Sequence, residues 1–244
     1  ASMLGLTIGC ARCHDHKFDP LPQEDYYRML SFFRVVRRYE TPEDKPGSAT
    51  ALPLQDTEVV RRALTPQSGQ AAPELTWTLA VREAGVQPAE TRILVRGQAA
   101  NPAAVVQPGF PQVLCGSETA TADSLLLHEM QSQSPLADLF PSSGRRLAFA
   151  RWLVRDDHPL TARVAVNRVW HFHFGRGLVG TTADFGRAGE APVLQPLLDW
   201  LAVDFVRQGW SLKQLHRRIL TSAAWRRSSQ TTSGHAPSVQ QAEQ

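Results

Sequence analysis

The chain has 244 residues, of which 42% are hydrophobic and 20% are charged, and it contains six tryptophans. This length and composition suffice for a buried core and exclude a wholly disordered protein. Its 17 prolines and 16 glycines are too many for a coiled coil, and no apolar run reaches the roughly 18 residues that a membrane span needs. We therefore expect one large folded domain or two small ones, with no membrane span.

The net charge of +3 hides an asymmetry along the chain. Residues 1–144 carry 12 basic and 16 acidic side chains, whereas residues 145–227 carry 14 and 6. A basic half is suited to a polyanionic partner. However, 23 of the 26 basic residues are arginines, and they are spread along several predicted helices without a nucleic-acid-binding motif. We therefore expect no nucleic-acid partner.

The first predicted element is an amphipathic helix over residues 22–38. Pro22 followed by Glu24 is typical of a first helical turn. Residues 41–73 are rich in Pro, Gly, Gln and Ser, which predicts a surface excursion with one short helix over 56–64. Apolar residues recur at helical spacing along the first helix and predict its buried face: Tyr26, Met29, Leu30, Phe33 and Val36.

A small β element is predicted in the middle of the chain. Residues 75–82 and 91–97 are short, β-branched and bounded by turn residues, so we expect them to pair as two strands. Residues 101–114 contain too much proline for a central strand and predict an extended loop. Residues 115–144 predict a second linker.

Four helices are predicted in the last hundred residues. Apolar periodicity predicts helices over 145–154 and 161–174, the second of which ends at Gly175. A third predicted helix ends near Gly209, and Ser211 followed three residues later by Gln is a capping signature for a fourth.

These elements predict a mainly helical α+β fold in four parts. Residues 1–40 hold a cysteine and histidine segment with its helix, and residues 41–144 form a linker region with a small β insertion. Residues 145–230 form a helical bundle, and residues 231–244, rich in Ser, Thr and Gln, form a disordered tail. The chain begins at Ala1 without a charged-then-apolar leader, so we expect a piece of a longer protein.

The strongest motif is the pentapeptide CARCH over residues 10–14. Two thiols three positions apart can each form a thioether to a haem vinyl group, and the adjacent histidine can coordinate the iron. The motif therefore predicts a c-type haem bound by Cys10, Cys13 and His14. The spacing does not fix a sixth iron ligand, for which Met29, Met130 and several histidines are candidates.

The same segment fits a second hypothesis, a site for zinc or another divalent metal. A closed site needs a further ligand from far along the chain, such as His128 or His158. A third hypothesis is a dithiol redox pair, although the strand and helix of a thioredoxin motif are missing around it. The candidate metal ligands are Cys10, Cys13, His14, Asp15, His16 and Asp19.

A second group of polar residues lies in the C-terminal half. Asn167 and Arg168 interrupt an apolar helix, and Asp184 and Arg187 follow in a glycine-rich turn. An ion pair between Arg168 and Asp184 that fastens the turn is the structural expectation. A polyol or sugar site built from these side chains is the functional alternative.

Histidines near the end of the second C-terminal helix do not predict a shared metal. His171 and His173 are two positions apart, so on a helix they point about 200° away from each other. His216, on the last predicted helix, carries no signal of its own.

Two long stretches resemble one protein family. Residues 5–33, with the motif GCARCHDHKFDP, and residues 158–230, with NRVWHFHFGRGLVGTTADFG, are similar to the paired, uncharacterised domains of the large cytochrome-associated proteins of planctomycetes and related bacteria. Residues 91–114 resemble the region that links them. Besides the six candidate metal ligands, the family motif here consists of Asn167, Arg168, Trp170, Phe174, Gly175, Gly177, Asp184, Phe185 and Gly186.

The resemblance implies an exported protein located in the periplasm or outside the cell. Family members typically carry an N-terminal cytochrome c domain, to which their haem is usually assigned, and are often encoded near sulfatase-like proteins. Redox proteins and polysaccharides are therefore the implied partners. The resemblance and the motif together leave three hypotheses: electron transfer through a c-type haem, a scaffold with a structural metal, and a carbohydrate-active enzyme.

Overall fold

The computed structural model describes residues 2–36, 51–65, 71–83, 85–115, 136 and 138–228. The fold is α+β and mainly helical, as predicted. The predicted tail over 231–244 and most of the predicted linker over 115–144 lie outside the described residues. Within the described ranges the helices are α1 (Gln23–Ser31), α2 (Thr57–Leu64), α3 (Arg145–Leu153), α4 (Thr161–Phe174), α5 (Gln195–Arg207) and α6 (Leu212–Leu220), and the strands are β1 (Ala51–Pro53), β2 (Trp77–Leu79), β3 (Thr91–Leu94) and β4 (Pro102–Val106).

The first helix is shorter than predicted, and its buried face agrees with the prediction at Met29 but not throughout. It ends at Ser31 rather than at residue 38, and turns follow it. Tyr27 is buried where the periodicity favoured Tyr26, and Phe32 is fully buried while Phe33 is 45% exposed. Because the helix stops at Ser31, the residues after it leave the helical spacing from which the face was predicted.

The predicted pairing of the strands is wrong. β1 pairs antiparallel with β2, and β3 pairs antiparallel with β4, so residues 75–82 and 91–97 do not pair with each other. The predicted loop over 101–114 contains β4. Proline is tolerated there because Pro102 occupies the first position of a strand in a two-stranded sheet. The ladder is irregular between Arg92 and Leu94.

The four C-terminal helices are confirmed closely. The observed α3 to α6 agree with the predicted helices to within a residue or two, and Gly175 ends α4 in the left-handed conformation with φ of 80°. Ser211 caps α6 because its Oγ accepts the backbone N–H of Gln214 at 3.3 Å. No helix among the described residues is long and apolar enough to cross a membrane.

Two hydrophobic cores hold the molecule together. The first joins the N-terminal segment to α3 through stacked aromatic rings, with Phe110 between Phe32 (5.2 Å) and Trp152 (4.7 Å). The second packs α4, α5 and α6. The first core consists of Leu4, Leu6, Leu21, Met29, Phe32, Phe110, Ala148, Phe149, Trp152 and Leu153. The second consists of Ala162, Val166, Leu178, Val179, Leu198, Leu201, Ala202, Phe205, Leu215 and Ile219.

Buried polar contacts attach the middle of the chain to this frame. Asp25 of α1 accepts the backbone N–H of Gln112 at 3.0 Å, and burial raises the pKa of its carboxyl group. The Glu83 side chain is 1% exposed, accepts the backbone N–H of Ser143 and pairs with Arg146 at 3.2 Å. The region between the two ends of the chain is therefore fastened to both α1 and α3.

Candidate functional site

The CARCHDH segment, residues 10–16, forms a compact turn that leads into α1. Gly9–Arg12 make one turn of 3₁₀ helix, and the backbone N–H of Cys13 continues it by donating to the carbonyl of Cys10 at 3.2 Å. Both thiols are free and exposed, and His14 is exposed beside them. The three residues predicted to bind haem therefore lie together at the surface.

The backbone between the two cysteines is fixed by buried and half-buried donors. The carbonyl of Arg12 accepts the hydroxyl of Tyr27 at 2.8 Å and the side-chain amide of Gln23 at 2.9 Å. Gln23 also donates to the carbonyl of Leu94 at 3.0 Å. Burial raises the pKa of Tyr27, so the phenol keeps the proton it donates. The segment is thus tied to α1 and to β3.

The turn between β3 and β4 closes against Cys13. Gly97 has a φ of 70°, and a Cβ placed on it would lie 2.6 Å from the sulfur of Cys13. The neighbouring Arg96 is also left-handed, with a φ of 52°. Because such a backbone is costly for any residue except glycine, this turn is over-determined by its surroundings. Only the absence of a side chain at Gly97 lets the turn approach the thiol.

A hydrogen bond fixes which ring nitrogen of His14 carries the hydrogen. Its Nδ1 lies 2.6 Å from the carbonyl oxygen of Asp15, and a carbonyl can only accept, so Nδ1 carries the hydrogen. In the neutral ring Nε2 then holds the lone pair. A backbone carbonyl at the other ring nitrogen is the arrangement typical of histidines that bind a metal through Nε2.

His16 and Asp19 are occupied in holding the loop. The Nδ1 of His16 accepts the backbone N–H groups of Asp19 (3.0 Å) and Phe18 (3.4 Å). Asp19 Oδ2 lies 3.5 Å from the same nitrogen, but a nitrogen that accepts two N–H groups has no proton to share, so this contact is not an ion pair. Asp15 Oδ1 in turn accepts the N–H of Gln23 at 2.8 Å and caps α1.

Asp19 also joins the two ends of the chain. Its Oδ1 accepts the backbone N–H of Arg187 at 2.7 Å, and a Cβ on Gly186 would lie 2.5 Å from its Oδ2. Nearby, the N–H of Phe185 donates to the carbonyl of Gly5 at 2.7 Å. The glycine-rich turn after α4 therefore docks directly on the N-terminal segment.

A complete metal site is not assembled in the part of the chain that the structure describes, where no three or more His, Cys, Asp or Glu side chains are placed to hold an ion. His158, a predicted distant ligand, instead caps α4, since its Nδ1 accepts the N–H groups of Leu160 and Thr161, both at 3.2 Å. Burial lowers the pKa of His158 to about 4. Met29 is packed in the first core, and Met130 and His128 lie outside the described residues.

The predicted polar group in the C-terminal half does not form one open site. Asn167 is 0% exposed, and its amide exchanges two hydrogen bonds of 2.9 Å with the backbone of Val179. Arg168 donates to the carbonyl of Ser2, and Asp184 accepts the N–H of Gly186 at 2.9 Å. Asn167 thus fastens the glycine-rich turn from inside the core, where a sugar cannot reach it.

Two family models match the chain. Residues 1–38 match PSCyt2, described as Protein of unknown function (DUF1549), and residues 145–243 match PSD1, described as Protein of unknown function (DUF1553). Together they match more than half of the chain. The chain belongs to the proteins that pair these two domains. No curated protein and no solved structure matches it.

The family matches show which two segments the contacts of Asp19 join. The DUF1549 match contains Gly5 and Asp19, and the DUF1553 match contains Phe185, Gly186 and Arg187. The docking described above is therefore a contact between the DUF1549 and DUF1553 segments. The first core also joins them, because it combines residues of α1 and α3.

Three residues that shape the CARCHDH segment were not predicted from the sequence. Gln23 and Tyr27 hold the Arg12 carbonyl, and Gly97 admits the turn against Cys13. The Arg96-Gly97 pair between two apolar runs was an available turn signal. Nothing local to Gln23 or Tyr27 indicates their partner, because that partner is a backbone carbonyl more than ten positions away.

Proposed function

We propose that the CARCHDH segment carries a covalently attached c-type haem and serves in electron transfer. Thioethers from Cys10 and Cys13 would hold the group, and His14 Nε2 would be its proximal ligand. The observation that supports this best is that the residues of the segment fall into two groups, free ones and ones that hold the loop. Both thiols are free and exposed while the neighbouring Asp15, His16 and Asp19 are engaged in fixing the loop.

The residues of the chain have separate tasks in this proposal. The Asp15 carbonyl keeps the proton of His14 on Nδ1 and orients the ring, which leaves the lone pair of Nε2 for the iron. Tyr27 and Gln23 hold the Arg12 carbonyl and with it the spacing between the two cysteines. When bound, the haem supplies one-electron redox chemistry, which no side chain of the segment provides.

Location and partners follow from the family resemblance rather than from the site. The cytochrome-associated proteins that this chain resembles are exported, so we place the electron transfer in the periplasm or outside the cell. Redox proteins are the first partner class. A polysaccharide is the second, because an exported redox protein can serve polymer degradation.

The test is the absorption spectrum of the chain exported from a host that has a haem-attachment system. The reduced protein is expected to show the sharp visible bands of a low-spin haem. Cys10→Ala/Cys13→Ala is expected to lose them. Cys115→Ala is the matched control, because that thiol lies away from the motif and donates to the carbonyl of Pro111 at 3.2 Å.

A third variant separates attachment from ligation. His14→Ala is expected to keep the haem on the cysteines but to lose the low-spin spectrum. A wild-type chain without haem bands under these conditions would overturn the proposal. Stoichiometric zinc without haem would do the same and would make the segment a metal site, with its remaining ligands to be sought outside the described residues.

A further inference from the structure

Two histidines far apart in the sequence meet on the surface of the helical bundle. His173 lies in the last turn of α4 and His216 lies in α6. The Nε2 of His173 is 2.8 Å from the Nδ1 of His216, and the ring centroids are 5.0 Å apart. One ring must donate and the other accept, so a ring nitrogen of each points at the other.

The helices that carry the pair are held firmly. Val166 of α4 and Leu215 and Ile219 of α6 are buried in the second core. Trp225 packs edge-on against the ring of His173, with centroids 5.5 Å apart. The packing of the two helices therefore fixes the backbone positions from which the two imidazoles meet.

We propose that His173 and His216 form a two-histidine site for a divalent transition metal. Imidazole suits Cu²⁺, Ni²⁺ and Zn²⁺, and the affinity of nitrogen ligands is highest for Cu²⁺. Bonds of about 2.0–2.1 Å to a tetrahedral ion place two ligand nitrogens roughly 3.3 Å apart. To admit the ion, the rings separate slightly from their present contact of 2.8 Å. The ring that donates must also move that proton, through water, to its other nitrogen, so that both facing nitrogens offer a lone pair.

The surroundings favour such an ion. The hydrogen-bonded contact is exposed, so water can fill the remaining coordination positions. The last turn of α4, which carries His173, has the negative end of the helix dipole, and this end stabilises a bound cation. The site differs from the CARCHDH segment in position and in ligands, and it does not depend on the haem proposal.

The experiment is calorimetric titration of the full chain with CuCl₂. It is done in a Cys10→Ser/Cys13→Ser/His14→Ala background, which removes the exposed thiols and the exposed His14 of the CARCHDH segment. We expect one ion per chain, with an affinity that falls about tenfold or more in His173→Ala and equally in His216→Ala. The double substitution is expected to cost no more than either single one, because one ligand alone does not form the chelate.

A spectroscopic measurement protects the test against misfolded variants. The electron paramagnetic resonance spectrum of Cu²⁺ bound to the chain with both histidines intact is expected to show coupling to two imidazole nitrogens. Coupling to a single nitrogen would overturn the proposal. Unchanged Cu²⁺ affinity in the two single variants would overturn it as well, whatever the state of the CARCHDH segment.

Discussion

Cys13 lies beside a turn that leaves its sulfur little room. The left-handed Gly97 brings its backbone against the thiol, and the carbonyl of the preceding Arg12 is fixed by two donors. The atoms nearest to a Cβ on Gly97 belong to Cys13 and Arg12, and none of them to Cys10. The two thiols of the motif therefore differ in their surroundings, although both are exposed.

Gly97→Ala tests this contact. The added methyl group would lie 2.6 Å from the Cys13 sulfur, on a backbone with a φ of 70°. We expect a loss of about 1–3 kcal/mol in the free energy of unfolding, and a changed alkylation rate of Cys13 relative to Cys10, followed by peptide mass mapping. Gly85→Ala is the matched control, because a Cβ there meets no atom within 4 Å. Equal behaviour of the two variants would contradict the contact.

His158 makes stability depend on pH. Burial lowers its pKa from 6.5 to about 4. The charge of Asp157 raises this pKa by a smaller amount, and the charge of Arg155 lowers it further. The unfolded chain takes up this proton near pH 6.5 and the folded chain only near pH 4. The contribution of neutral His158 to the free energy of unfolding is therefore complete above pH 6.5. It is lost as the pH falls toward 4, by on the order of 2 kcal/mol.

His158→Asn isolates that contribution. Asparagine keeps an acceptor for the N–H groups of Leu160 and Thr161 but does not titrate. Urea unfolding at several pH values between 7.5 and 4.5 is expected to show a shallower loss of stability in the variant. The same slope in both proteins would mean that His158 is not the group responsible.

At the scale of elements, the turn after α4 and the N-terminal segment behave as one unit. Asp19 gives the N–H of Arg187 its acceptor and packs on Gly186. Asp19→Ala is expected to cost about 1–3 kcal/mol, because it removes a partly buried hydrogen bond from an N–H group to a charged acceptor. It is also expected to accelerate amide hydrogen exchange at Arg187.

The controls for Asp19 are a conservative variant and a distant one. Asp19→Asn retains an acceptor oxygen and is expected to recover much of the lost stability. Asp156→Ala changes an exposed aspartate and is expected to have little effect. The free energy of unfolding and the amide exchange of Arg187 could both be unchanged in Asp19→Ala. The docking contact would then not stabilise the fold.

The elements differ in how far the sequence determines them. The helices α3 to α6 were predictable because each has a continuous apolar face and a clear end, such as Gly175. The strand pairing was not, because two-stranded ladders of three to five residues leave little periodicity and Pro102 resembles a loop signal. The proposed haem ligands were predictable from spacing alone, since Cys10, Cys13 and His14 are nearly adjacent.

Contacts between distant residues lay beyond the sequence. Gly97 meets Cys13 only because β3 and β4 form a hairpin that packs on α1. His173 meets His216 only because α4 packs on α6, and the spacing of His171 and His173 gave no hint of it. These contacts depend on tertiary packing, which periodicity and motif spacing do not encode.

At the scale of the whole molecule, the segments that match the two families share a hydrophobic core and a polar contact. The DUF1549 segment presents its cysteines and histidine on a loop that the DUF1553 segment helps to hold through Asp19. In this chain, Asp19 therefore links the loop to the DUF1553 segment. We propose that this loop carries a haem and transfers electrons through it.

Covalent attachment is tested by the mass of the intact chain, measured under denaturing conditions after export with a haem-attachment system. A covalent haem stays with an unfolded chain, whereas a metal ion or a loosely bound cofactor is lost. We expect a mass increased by one haem, with Cys10 and Cys13 both protected from alkylation. An unmodified mass with both thiols open to alkylation would contradict it.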